Sequence, residues 1–151
     1  MKQIAALIFF SCVIFMAGCS EGTGPEVINA IPIIVDDSLY MAALETQQAE
    51  LSIENGVIKQ DLLKLSVSFP GGCEKHDFGL LAYRRIAKSN PPIGFILLTH
   101  DANNDSCNVE IIEELLFDLS PYREYLQLGL LRSGLIKLEL KGFAENLMYE
   151  F

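Results

Sequence analysis

Two short stretches hold the residues with chemistry to offer: Gly71-Gly72-Cys73-Glu74-Lys75-His76 and His100-Asp101-Ala102-Asn103-Asn104-Asp105-Ser106-Cys107. They contain both histidines and two of the four cysteines of the chain. Cys73-x-x-His76 has the spacing of half a metal knuckle. His100 and Cys107 supply a second half, giving two thiolates and two imidazoles, a set suited to zinc or copper. The six residues between His100 and Cys107 exceed the usual separation of such a pair. A metal could instead sit beside an intact disulfide, held by His76 and His100 with Asp77, Asp101 or Asp105. Asp101-x-Asn103-x-Asp105 also matches the first half of a calcium loop, with oxygen donors at positions 1, 3 and 5. It departs from that loop at Ser106, where glycine is needed, and at Ile112, where glutamate is needed. Asp and Asn in the same pattern also make turns by bonding their own backbone.

Two readings concern the cysteines themselves. Cys73 with His100 and Asp101 or Asp105 composes a nucleophilic set on paper, provided Cys73 is a free thiolate. Paired as a disulfide, Cys73 and Cys107 would close a loop of about 34 residues, worth roughly 4 kcal/mol in chain entropy. No Gly-x-Ser-x-Gly, phosphate loop or His-Glu-x-x-His occurs, so the expectation is a protein without catalytic residues and without a resident cofactor.

The elements that must position these loops read mostly as strands. Leu63, Leu65, Val67 and Phe69 alternate with Lys64, Ser66 and Ser68, and Pro70-Gly71-Gly72 ends the run. Phe78, Leu80 and Ala82 form the next set, ending at Tyr83-Arg84-Arg85. After a turn at Ser89-Asn90-Pro91-Pro92, Ile93 to Thr99 is apolar almost throughout, as in a central strand covered on both faces. Cys73 thus follows one strand and Cys107 precedes another, so the pair can meet at one end of a sandwich. Val109, Ile111, Leu115, Phe117 and Leu119 read as a strand with a bulge near Ile112-Glu113, although Ile112, Leu115, Leu116 and Leu119 also fit a helix. Leu51 and Ile53 before Asn55-Gly56, with Val57 after it, predict a hairpin turn at that dipeptide. Ile136, Leu138 and Leu140 mark a further strand, and Asn146 to Phe151 is apolar enough to pack. Ser120 as N-cap and Pro121 in the first position open a short helix that stops at Gly129. Ile31-Pro32-Ile33-Ile34-Val35 suits an edge strand, where proline is tolerated. Ser38 to Glu50 fits either a short helix or an extended lead-in. The expected fold is all-β and mainly antiparallel, a small β-sandwich or barrel-like sheet with one short helix.

The N-terminus bears on compartment. Met1-Lys2 precedes an apolar run from Ile4 to Ala17, too short to span a membrane as a helix and suited to a secretory signal. It ends in Met16-Ala17-Gly18-Cys19, which resembles the lipobox of bacterial lipoproteins. That resemblance implies cleavage before Cys19 and acylation of Cys19, with palmitate among the expected chains; several chains on one residue anchor a protein stably. Residues 1–18 are then a signal peptide, 19–30 a flexible Gly-rich tether and 31–151 one β-rich domain. The expected location is the bacterial envelope, with Ser20 compatible with the outer membrane. Cys12 leaves with the signal and Cys19 carries lipid, so Cys73 and Cys107 remain as an even pair in an oxidising compartment. The whole chain carries a net charge of −9; loss of Lys2 leaves 10 basic against 20 acidic residues, or −10. Such a surface argues against nucleic acid as a partner. It leaves a small cation or a protein open, beside the membrane reached through the lipid.

Taken together, the Gly71-Gly72-Cys73-x-x-His76-x-Phe78 run, the His100-to-Cys107 loop and Phe117-Asp118-Leu119-Ser120-Pro121 resemble a group of small, uncharacterised bacterial lipoproteins. The resemblance covers roughly residues 50–142 and implies an envelope β-domain with its cysteines paired. It carries no established activity. The leading expectation is a lipid-anchored, disulfide-stabilised binding or structural module; the alternative is a metal-binding lipoprotein using His76, His100, Asp101, Asn103 and Asp105.

Overall fold

Alternation of apolar and polar residues carries most of the fold. The computed structural model describes residues 29–129, 131 and 134–151. The stretch read as a signal peptide, Cys19 and nearly all of the expected tether lie outside the described residues. In chain order come β1 (Ile31–Pro32), β2 (Ile34–Val35), α1 (Asp37–Glu45), β3 (Ser52–Lys59) and β4 (Leu62–Gly71). Then follow β5 (Asp77–Ala87), β6 (Ile93–Asp101), β7 (Val109–Asp118), α2 (Ser120–Gly129), β8 (Leu135–Leu140) and β9 (Leu147–Glu150). They form two sheets, ordered β1-β7-β4-β3 and β2-β5-β6-β8-β9. The sheets are mixed: β3/β4, β4/β7, β5/β6 and β8/β9 pair antiparallel, and β1/β7, β2/β5 and β6/β8 pair parallel. The architecture is the expected all-β sandwich, with two helices rather than one among the described residues. No described helix is long and apolar enough to cross a membrane.

The inward rows of both sheets meet in one core. Leu63, Leu65 and Val67 of β4, Leu80 and Ala82 of β5, Ile96 of β6 and Ile136 and Leu138 of β8 are all fully buried in it. Helix α2 adds Tyr122 and Leu126 to the same core. A smaller cluster lies on the outer face of β5 and β6, where Tyr40 of α1 packs on Leu81 and Leu97. β6 is therefore central and covered on both sides, as its apolar run implies. The stretch around Pro32 serves both sheets at their edges. β1 pairs with β7 and β2 with β5, and the chain steps between sheets at the buried Ile33.

Three local expectations are corrected, and one left open, between helix and extended lead-in after Asp36, is decided. Asn55-Gly56 is not a turn: β3 runs through it with a register irregularity, and the hairpin closes at Gln60-Asp61, where Gln60 has a φ of 54°. A Cβ at Gly56 would stand 3.1 Å from Leu147, so the glycine lets the free edges of the two sheets approach. The β4/β7 ladder runs from Leu62↔Asp118 to Gly71↔Val109 without a shift, so β7 needs no bulge. Ile112 points outward and is 71% exposed. Residues 37–45 are helical, with the Asp36 side chain accepting the Leu39 N–H at 2.9 Å as the N-cap. At α2 the capping carboxylate is Asp118, which accepts both the N–H and the hydroxyl of Ser120. Ser120 itself lies inside the helix.

Candidate functional site

The two loops meet at one end of the sandwich. β4 ends there at Gly71 opposite Val109, and β5 begins at Asp77 opposite Asp101 at the end of β6. Cys73 and Cys107 form a disulfide with their Cα atoms 5.7 Å apart, across a sequence separation of 34. Neither sulfur is then a thiolate. The two-thiolate zinc set and the Cys73 nucleophile both lack their reactive atom in this state. Cys73, Asp105 and Cys107 do bring three donor atoms within 4.8 Å of one another, but two of the three are the bonded sulfurs.

Asp105 is the hub of the loops. One oxygen, Oδ2, accepts the N–H groups of Gly72, Cys73 and Glu74 at 2.8, 3.0 and 3.1 Å. The other, Oδ1, accepts the Cys107 N–H at 2.8 Å. Successive backbone amides turned inward make a nest for an anion, and here the anion is the protein's own carboxylate. The amides of Cys107, Glu74 and Cys73, with His76, hold the Asp105 carboxyl well below the usual carboxylate range.

From Asp105 a chain of hydrogen bonds runs inward. His76 Nε2 lies 3.2 Å from Asp105 Oδ2, and His76 Nδ1 lies 2.7 Å from His100 Nε2. A carboxylate accepts only, so in the neutral rings His76 donates from Nε2 and accepts at Nδ1 from the His100 Nε2–H. His100 Nδ1 then keeps a lone pair, buried and without a hydrogen-bond partner. Phe69 and Phe78 enclose the pair: Phe78 stacks on His100 at 4.8 Å, and Phe69 lies 4.7 Å from His76. Burial is the main reason the His100 pKa is lowered, aided by the neighbouring His76 and opposed by the backbone near Ala49 and Glu50. Gln48 Oε1 accepts the His100 N–H at 3.1 Å and ties the lead-in segment to the end of β6.

The remaining candidate ligands shape the loop. Asp101 Oδ1 accepts the Asn103 N–H, and the Asn103 side-chain amide donates to Lys75 O and Asp77 Oδ2, each at 2.8 Å. Asn103 and Asn104 have φ of 50° and 60°, the left-handed turn that asparagine tolerates best among side-chain-bearing residues. The structure thus joins His76, His100 and Asp105 in one network and leaves Asp101 and Asn103 in the adjoining turn. Sequence reasoning missed the Phe69 and Phe78 cover and the Gln48 tie. Phe69 read simply as a strand residue, Phe78 as a strand residue and a motif member with no role, and Gln48 carries no motif.

The paired glycines serve different ends. Gly72 has a φ of 116°, which strains any other residue. Gly71 is ordinary in φ but crowded: a Cβ there would lie 2.7 Å from His76 Nε2 and 3.1 Å from Asp105 Oδ2. Gly71→Ala is expected to drive the His76 ring off Asp105 and to cost about 1–3 kcal/mol. Urea unfolding measures the cost, and imidazole NMR should show the His76 Nε2–H signal shifted.

No family model matches the chain, and no curated protein does. Solved structures do share the fold. A protein of unknown function, DUF1344, from Bacteroides vulgatus superposes with a TM-score of 0.50 at 17% identity, over 81% of this chain and 56% of that one. A NigD-like immunity protein from Bacteroides caccae gives 0.52 at 18% identity, over 74% and 52%. The chain spans little more than half the length of either, and the likeness is one of fold.

Proposed function

We propose that this chain is a lipid-anchored protein of the bacterial envelope, most simply of its outer membrane, whose stapled β-sandwich serves as a binding or structural module. The Cys73–Cys107 disulfide carries the reading. A structural disulfide belongs to an oxidising compartment, which agrees with the lipobox-like Met16-Ala17-Gly18-Cys19. Around it, Asp105 and His76 bond to their own loops, which favours a built support over a reactive centre. The resemblance to small uncharacterised lipoproteins points the same way.

Labelled palmitate supplied to cells producing the full chain tests the anchor. The wild type is expected to take up label and to sediment with membranes. Cys19→Ala is expected to lose essentially all label and to keep its signal peptide. Equal labelling of the two would refute acylation at Cys19.

A further inference from the structure

The far end of β5 carries a feature that the disulfide end does not explain. The β5/β6 register shifts between Ala82 and Ile86, and Arg84 and Arg85 within that irregular stretch are both exposed. Bulges re-aim side chains and are frequent beside binding sites. With Lys88 in the following turn, three cations fall within five residues of a chain whose net charge is −9. Among the described residues none of the three forms an ion pair; the lysine and arginine pairs found there are Lys64–Glu114 and Arg123–Asp61.

These cations border a groove of about 630 Å³ between β5, the turn after it and α2, with Ile86, Pro92 and Tyr125 as its apolar walls. Among the described residues no carboxylate lines it. The Tyr125 hydroxyl donates to Arg84 O at 2.9 Å, which fixes α2 against β5 and holds the groove open in shape. Arg85 lies 5.9 Å from the Tyr83 ring centroid and is partly oriented by it. An apolar cleft of this size with a few convergent charges has the make-up of a small-molecule site. Guanidinium groups match phosphate and carboxylate oxygens in geometry as well as charge.

We propose that the groove between β5 and α2 binds a small amphipathic anion: an alkyl or aryl chain ending in a phosphate, sulfate or carboxylate. The chain lies on Ile86, Pro92 and Tyr125, and the acid group meets Arg84, Arg85 and Lys88. This rests on the binding-module reading for its relevance, yet it is tested apart from the lipid anchor.

The mature chain in phosphatidylcholine nanodiscs is titrated calorimetrically with hexyl phosphate, inorganic phosphate and hexyl glucoside, with empty nanodiscs as the blank. Hexyl phosphate is expected to bind at least about tenfold more tightly than either of the others. R85E/K88E is expected to weaken hexyl phosphate about tenfold while its melting temperature stays that of the wild type, because both side chains are exposed. If the reversed charges prevent folding, R85Q/K88Q carries the same comparison. The proposal is overturned if hexyl glucoside binds as well as hexyl phosphate, if inorganic phosphate does, if none of the three binds, or if the charge variant binds like the wild type. If Cys19 proves not to be acylated, the same titrations are run in buffer without nanodiscs and carry the same expectations, so the two readings fail separately.

Discussion

Replacing both Cys73 and Cys107 with serine is expected to lower the unfolding free energy by about 4 kcal/mol, and the melting temperature by about 15 °C. The chain-entropy part follows from the 34-residue separation of the two sulfurs. A second contribution comes from what the bridge holds in place. Cys73 and Cys107 each donate a backbone N–H to Asp105, so the covalent link and the amide nest restrain the same few residues. The two devices are therefore coupled. In a double-mutant cycle, C73S/C107S combined with Asp105→Asn is expected to cost less than the sum of the separate changes, because the nest loosens once the bridge is gone. Urea unfolding of the oxidised, reduced and serine forms provides the measurement, and the mass of the oxidised form should fall short of the reduced one by two hydrogens. A serine variant within about 1 kcal/mol of the wild type would mean that Asp105 alone holds the loops together, contrary to the entropy argument.

What could be read in advance depended on how local each signal was. β4 and β8 alternate strictly, and β6 is apolar on both faces, so their burial follows from residue order alone. β7 allowed a helix as well, and its ten-residue ladder with β4 decides the matter. The Asn55-Gly56 signal failed because turn propensity is a weak local preference. Pairing Gly56 with Leu65 and packing it near Leu147 outweighs it. The true turn residue, Gln60, has no turn chemistry of its own. It is secured from outside, since Asp61 beside it accepts the Tyr149 hydroxyl at 2.6 Å and also meets Arg123. At the site, the types and spacing of Cys73, His76, His100, Asp105 and Cys107 were visible. The direction of their lone pairs was not. Whether Asp105 faces an ion or three backbone amides is set by how the chain returns at Gly72–Glu74, a tertiary fact. The groove was hidden for a similar reason. Arg84 and Arg85 read as the end of a strand, and that they line one groove with Tyr125 of α2 is a tertiary fact.

Phe69→Ala is expected to cost about 3–5 kcal/mol, the usual penalty for truncating a buried phenylalanine, and to change how His100 titrates. The ring is 4% exposed, and it touches the whole aromatic cluster: 4.7 Å from His76, 5.1 Å from His100 and 5.4 Å from Phe78. Removing it opens a cavity beside the imidazole pair and admits water to the unpartnered His100 Nδ1. Since burial is the chief cause of the lowered His100 pKa, hydration is expected to raise that pKa toward the ordinary 6.5. The linkage has a definite sign. A histidine whose folded pKa lies below its unfolded value stabilises the fold fully above the unfolded value. It loses that stabilisation as pH falls toward the folded one. The wild type should therefore weaken on acidification from about pH 8 to pH 5, and Phe69→Ala, though much less stable at pH 8, should weaken less steeply over the same interval. Phe69→Leu separates the two effects. It keeps most of the volume, so it is expected to cost less than about 1.5 kcal/mol and to leave His100 lowered. Urea unfolding across that pH range, together with imidazole NMR titrations of the three proteins, reads both consequences at once. An unchanged His100 titration in Phe69→Ala would show that Phe69 does not keep water from the pair, and that the lowered pKa comes from the neighbouring His76 instead.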